Sequence, residues 1–217
     1  MNEYVREYEF DNESIQPVKV CQHPGTEFGH GATVWDAGLV LCAFLESSVG
    51  SGMIRDASVI ELGAGTGIAA IAASVMGAAR SVATDLDACV PFIRQNIGLN
   101  PQAGTCTAEA LDWNNSSPNS DEFDWILCAD CVYAPDTIVG LTKTIAALSP
   151  RRGVIVSNER REDESDAIAE KLFIHAMYEL GYTGKAVHKE VIKADWRCDD
   201  IDVVVFEKTT SRASTGA

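Results

Sequence analysis

The sequence predicts a single α/β domain built on a largely parallel sheet, and three observations carry that reading. Strand-like and helix-like segments alternate from residue 58 onward. The chain of 217 residues, 46% of them hydrophobic, has the length and apolar content for one sizeable core. A glycine-rich turn joins the first buried strand to a helix of small residues, as open parallel sheets require where a ligand approaches the backbone.

The elements follow in order. Tyr4 to Phe10 and Gln16 to Gln22 alternate like a hairpin around Asp11-Asn12-Glu13-Ser14, and Trp35 to Leu45 reads as a helix. Ser58-Val59-Ile60-Glu61-Leu62 is a buried strand, and Ile68 to Met76 a helix able to pack close to it. Ser81 to Asp85 is the second core strand, followed by an amphipathic helix from Ala88 to Ile97. A weaker strand, Thr105 to Ala110, leads to a polar loop from Asn114 to Ser120. Phe123 to Ala129 is the fourth core strand, Asp136 to Leu148 a helix, and Gly153 to Ser157 the fifth strand. The charged stretch Glu159 to Asp166 opens a helix that ends near Gly181. Lys185 to Ile192 and Ile201 to Lys208 are expected to form an antiparallel pair at one edge. Residues 1–50 thus form an N-terminal hairpin and helix extension, 51–208 the core, and 209–217, small and polar, a disordered tail.

Composition narrows the function classes. No apolar run approaches the ~20 residues that span a bilayer, and Met1 to Glu7 lacks the basic-then-apolar order of a secretory signal. Seven cysteines, most inside apolar segments, suit a reducing compartment. These features point to a protein of the cytoplasm, with the nucleus as a second compartment, and to no membrane partner. A formal net charge of -15 repels a phosphate backbone, so a nucleic-acid partner is not expected.

The chemistry concentrates at two places. The turn Gly63-Ala64-Gly65-Thr66-Gly67 brings its third glycine one residue too early for the dinucleotide pattern G-x-G-x-x-G, and no lysine follows it as in a P-loop. Asp85, ending the second strand, stands where a carboxylate accepts hydrogen bonds from ribose hydroxyls. Glu61, just ahead of the glycines, suits a cationic cofactor, and S-adenosylmethionine carries a sulfonium and an ammonium group.

The second place is Cys128-Ala129-Asp130-Cys131-Val132-Tyr133, at the carboxyl end of the fourth strand. There Asp130 can hold an incoming amine and Tyr133 can wall the channel. Cys128 and Cys131 spell C-x-x-C, but the pair has no second pair and no spaced histidines, and it falls in an apolar strand; it is read as neither a metal nor a redox site. Trp113 either covers the pocket, stacking on an adenine, or is a core residue, and Trp35 carries the same two readings. The run Glu159 to Glu164 is either a solvated face or part of the same rim.

Together, Gly31-Ala32-Thr33-Val34-Trp35-Asp36-Ala37, the glycine turn, Leu111-Asp112-Trp113 and the D-x-x-Y segment Asp130 to Tyr133 resemble the class I, seven-strand S-adenosylmethionine-dependent methyltransferases. More narrowly, they resemble the methyltransferase-like protein-lysine family that includes the methyltransferase of valosin-containing protein. The resemblance spans roughly residues 4 to 208. It implies a Rossmann-like seven-strand fold with an antiparallel edge, and S-adenosyl-L-methionine held by Trp35, Glu61, Gly63, Ala64, Gly65, Asp85, Trp113 and Ala129. It also implies Asp130 and Tyr133 as catalytic residues lining a lysine channel and a protein substrate; beside it, a monomer is expected and, from the cysteine and histidine spacing, no metal. Ser157-Asn158-Glu159-Arg160-Arg161 resembles the family's Glu-x-Arg stretch, with Ser157 and Asn158 where the family has an apolar strand end. The implied function is lysine N-methylation of a protein. A small molecule or a protein histidine as acceptor, and a non-catalytic interaction module, are the alternatives on the same fold.

Overall fold

A computed structural model describes residues 4–24, 29–115 and 122–209. Most of the expected tail, and residues 116–120 of the polar loop, lie outside the described residues. Strands β1 (Tyr4–Tyr8) and β2 (Val18–Gln22) form the antiparallel hairpin read from the sequence. After helices α1 (Asp36–Glu46) and α2 (Ser48–Ile54) come β3 (Ser58–Leu62), α3 (Ile68–Val75), β4 (Arg80–Asp85), α4 (Val90–Gly98) and β5 (Cys106–Ala110). The second half runs β6 (Trp125–Ala129), α5 (Pro135–Leu148), β7 (Gly153–Glu159), α6 (Glu164–Glu179), β8 (Tyr182–Ala186) and β9 (Ile201–Lys208).

The seven-stranded sheet has the order β5-β4-β3-β6-β7-β9-β8, parallel from β5 to β7, with β9 and β8 antiparallel at the edge. Chain order reverses between β3 and β6, so the two strands that carry the predicted site residues part at their carboxyl ends, leaving a crevice there.

Side-chain alternation divides the core between the sheet's two faces. Val59, Trp125, Leu127 and Ile155 pack with α1 and α3, whereas Ile60, Leu62, Ile126, Cys128, Val154 and Val156 pack with α5 and α6. Helix α3 is rich in alanine, which lets its backbone lie close enough to the sheet for the Ser81 hydroxyl to donate to the Ala70 carbonyl at 2.7 Å.

Helix α1 is more integral than an extension. Every residue from Ala37 to Leu45 is buried, and the helix packs on α3, β7 and β9. Burial of each of Leu41, Phe44 and Leu45 contributes about 1.5–3 kcal/mol. A boundary at residue 50 would cut through α2. The hairpin is tied on by two buried amides four residues apart, Asn96 on α4 and Asn100 just past its end. Asn96 exchanges hydrogen bonds with the Cys21 main chain, its Oδ1 accepting from N at 2.9 Å and its Nδ2 donating to O at 3.2 Å. Asn100 does the same for Lys19, at 2.9 and 2.7 Å.

One strand differs from expectation. β8 covers Tyr182–Ala186 rather than residues 185–192, and Lys189–Val191 is a short 3-10 turn. Gly181 takes a left-handed φ of 81° that ends α6 and starts the strand at once. Gly184 then lies against the Phe206 ring, where a Cβ would come within 2.6 Å. Gly181 is therefore the helix stop expected near that position, and Gly184 a close strand contact.

Candidate active site

The crevice at the β3/β6 switch opens into a cavity of about 340 Å³. Every residue singled out from the sequence lines it: Trp35, Glu61, Gly63, Ala64, Gly65, Asp85, Trp113, Ala129, Asp130 and Tyr133.

Its floor is the glycine turn. Gly63 and Gly65 have φ of 64° and 54°, a conformation that L side chains rarely adopt. A Cβ on Gly65 would sit 2.8 Å from the Gly31 carbonyl oxygen, and one on Gly63 3.0 Å from the Trp113 ring. Asp85 fixes the turn: its Oδ2 accepts from the Gly65 amide at 2.8 Å and its Oδ1 from the Leu86 amide at 2.7 Å. A carboxylate offers about four lone-pair sites, so Asp85 retains acceptor capacity toward the cavity. Asn96 Nδ2 also donates to the Thr66 carbonyl at 3.0 Å, joining the hairpin anchor to the turn.

Glu61 is buried beneath the turn, and its Oε2 accepts from the Ala70 amide at 2.8 Å, in the first turns of α3. Burial pushes its carboxyl up to about 8, against the lowering effect of the Ala70 hydrogen bond. A cation entering the cavity next to it would restore the ionised form.

The two tryptophans resolve differently. Trp113 packs half-buried against the α5/α6 core and lines the cavity, so both of its readings describe it. Trp35 is 39% exposed at the rim, with its indole N–H donated to the His30 carbonyl at 3.1 Å, and is no core residue.

Asp130 ends β6 with a left-handed φ of 56° and is 9% exposed. Such a backbone persists only when its surroundings hold it. Its N–H donates to Ser157 O at 2.8 Å, its Oδ1 accepts from the Glu159 amide at 3.3 Å, and its Oδ2 is ion-paired with Arg161. Arg161 also meets Glu159 at 2.9 Å and Asp166 at 3.4 Å, and its guanidinium lies 5.5 Å from the Trp35 ring centroid. Burial opposes the Arg161 charge, but the carboxylates outweigh it and hold its pKa above the usual value.

Sequence reasoning gave Arg161 no role; its signal was the Glu-x-Arg stretch. Asn158 is a second omission. Its side chain bridges the main chain of Val132, accepting from N at 3.1 Å and donating to O at 3.2 Å, and thereby fixes the D-x-x-Y loop. Arg160 turns toward Asp202, 2.9 Å away, and not into this cavity. The Cys131 thiol is buried and donates to the Leu62 carbonyl at 3.1 Å, and its hydrogen bond with Cys128, followed by burial, pushes its pKa well up.

A glycine cradle that any side chain would fill, a carboxylate at the end of the second core strand and a buried acid lining the cavity fit the class: a Rossmann-like, class I S-adenosylmethionine-dependent methyltransferase. The fold agrees. Magnesium protoporphyrin IX methyltransferase from Synechocystis, solved with bound S-adenosylhomocysteine, superposes with a TM-score of 0.57 at 14% identity, covering 80% of this chain and 84% of that one. Mitomycin 7-O-methyltransferase gives 0.58 at 16%, covering 80% and 53%. The family model described as lysine methyltransferase matches residues 15–179. Protein N-lysine methyltransferase METTL21A of Xenopus tropicalis is 32% identical over 195 residues, 88% of this chain and 87% of the relative. EEF1A lysine methyltransferase 3 of the same organism is 33% identical over 149 residues, 67% and 65% of the two chains. The chain belongs to the lysine methyltransferase family.

Proposed function

We propose that this chain methylates the ε-amine of a lysine in a protein substrate, with Asp130 holding the acceptor and Tyr133 walling its channel. The observation that carries the reading is the Asp130 carboxylate, buried beside the cofactor cavity and fixed by Arg161 and the Glu159 amide. S-Adenosylmethionine supplies an electrophilic methyl group on a cationic sulfur. The residues assigned to hold it are Trp35 at the rim, Gly63, Ala64 and Gly65 along the floor, Asp85 toward the ribose, Glu61 toward the cationic end, and Trp113 and Ala129 on the walls.

The chain's own groups then act on the acceptor. Attack requires a free lone pair on nitrogen, so the lysine ammonium must first lose a proton, which partial desolvation in the cavity favours. Asp130 would accept a hydrogen bond from a remaining N–H and so aim the lone pair into the cavity, where bound S-adenosylmethionine would supply the methyl group. Tyr133 is 40% exposed at the mouth, and burial of its phenol raises its pKa, so it stays protonated at neutral pH and serves as a wall and hydrogen-bonding group rather than a base. We assign a monomeric enzyme of the cytoplasm, which buried, unpaired thiols support.

Incubation with methyl-labelled cofactor and lysate protein tests the reading. Label should appear on lysine in a protein band and be lost with Asp130→Ala while cofactor binding persists. Label on histidine, label only on small molecules, or turnover that survives protease treatment of the lysate would each overturn the acceptor assignment.

A further inference from the structure

A second cavity, of about 320 Å³, lies between α6 and the edge strands β8 and β9, lined by Phe173, Tyr182, Val204 and Phe206, with Ile174 and Tyr178 also on its wall. The last two stand four residues apart on one flank of α6, beside the buried stripe of Ala169, Phe173 and Met177. They are 50% and 71% exposed. A large exposed tyrosine and isoleucine at the edge of an apolar hollow mark an interaction surface.

Three further observations say what the surface takes. Tyr182 is only 3% exposed and, with Phe173 and Phe206, gives the hollow an aromatic floor suited to an apolar side chain. The helical wall is acidic, with Glu164, Glu170 and Glu179 exposed on α6 against Lys171, while Arg160 in the lining is neutralised by Asp202 at 2.9 Å and the strands opposite carry Lys185 and Lys208. The hollow also abuts the active site across the D-x-x-Y segment. Val132, inside the D-x-x-Y segment, lines it together with Asn158, whose side chain holds Val132, whereas Asp130 and Tyr133 on either side of Val132 face the cofactor cavity.

We propose that this groove docks the protein substrate, seating an apolar side chain from a segment rich in lysine and arginine while the target lysine enters beside Asp130. The inference rests on the protein-lysine reading above and adds to it the site that selects the substrate. The apolar anchor supplies affinity and the carboxylates on α6 attract the basic flanks.

The test uses the whole chain, methyl-labelled cofactor and dialysed lysate protein as the substrate pool. In the double variant Ile174→Ser, Tyr178→Ala, both solvent-facing changes, the protein concentration for half-maximal labelling should rise by about tenfold or more. The saturated rate, the affinity for S-adenosylhomocysteine and the thermal midpoint should stay unchanged. In parallel, p-benzoylphenylalanine in place of Tyr178 should cross-link to a polypeptide that carries the methyl label. Unchanged half-saturation, loss of rate at saturation, or cross-links only to unlabelled polypeptides or to a second copy of this chain would overturn the docking assignment. Failure of the unaltered enzyme to label any protein would instead overturn the underlying function, which separates the two claims.

Discussion

Arg161 reaches from the connection between β7 and α6 to pair with Asp130 just past β6, linking the carboxylate proposed to hold the acceptor to the Trp35 ring across the mouth of the cavity. This contact joins the N-terminal segment, the D-x-x-Y loop and the Glu-x-Arg stretch. An incoming lysine must therefore share Asp130 with a resident cation, so Arg161 sets both the position of the carboxylate and its availability.

Arg161→Ala should lower turnover by about tenfold or more, because Asp130 loses its fixed orientation. It should also destabilise the fold by up to about 3 kcal/mol, because a nearly buried carboxylate is left without its ion-pair partner while the arginine side is partly solvated. Arg161→Lys should restore much of the stability and little of the turnover, since a lysine cannot reproduce the forked contacts. Thermal unfolding and labelled-cofactor kinetics measure the two effects separately; equal loss in both variants would contradict the positioning role.

Glu61 makes cofactor binding depend on pH. Its folded pKa is raised to about 8, so in the free protein at neutral pH the carboxyl is largely protonated. A cationic cofactor favours the ionised form, so binding releases a proton and affinity should rise with pH until about 8, then level off. Calorimetry in buffers of different ionisation enthalpy reads the released proton, and Glu61→Gln should abolish it.

The same group acts on stability in the opposite direction. Because the folded pKa lies above the unfolded one, the contribution is complete below the ordinary carboxyl value of 4.5 and is lost as pH rises through about 8. Denaturant unfolding of the cofactor-free protein should show stability falling across that window, and Glu61→Gln should flatten the fall.

Gly65→Ala should abolish cofactor binding, because the new methyl would meet the Gly31 carbonyl at 2.8 Å on a backbone with φ of 54°. The strain alone costs about 1–3 kcal/mol. Gly77→Ala, also at positive φ but with open space around its Cβ position, should destabilise the protein while sparing binding. Isothermal titration with S-adenosylhomocysteine distinguishes the two.

Asn96→Ala should cost about 2–4 kcal/mol, since it strips partners from the Cys21 main chain and the Thr66 carbonyl at once. Hydrogen exchange should then rise first in the hairpin of β1 and β2. Uniform exchange across the sheet would show that the hairpin is not a separately anchored unit.

The sequence by itself determined the order of strands and helices, the glycine turn, and the residues that gather around the cofactor cavity. These are local facts: periodicity sets the elements, and a parallel sheet brings strand ends to one edge, so Glu61, Asp85 and Asp130 had to converge. Tertiary structure decided the rest. The start of β8 was hidden because a glycine inside a strand weakens its signal, and only the Phe206 ring shows why residue 184 is one. The ion pair of Arg161 with Asp130, the amide ladder from Asn96 and Asn100, and the groove beside Tyr178 unite segments far apart in the chain. Their energies depend on burial and distance, which no spacing of residues along one chain specifies.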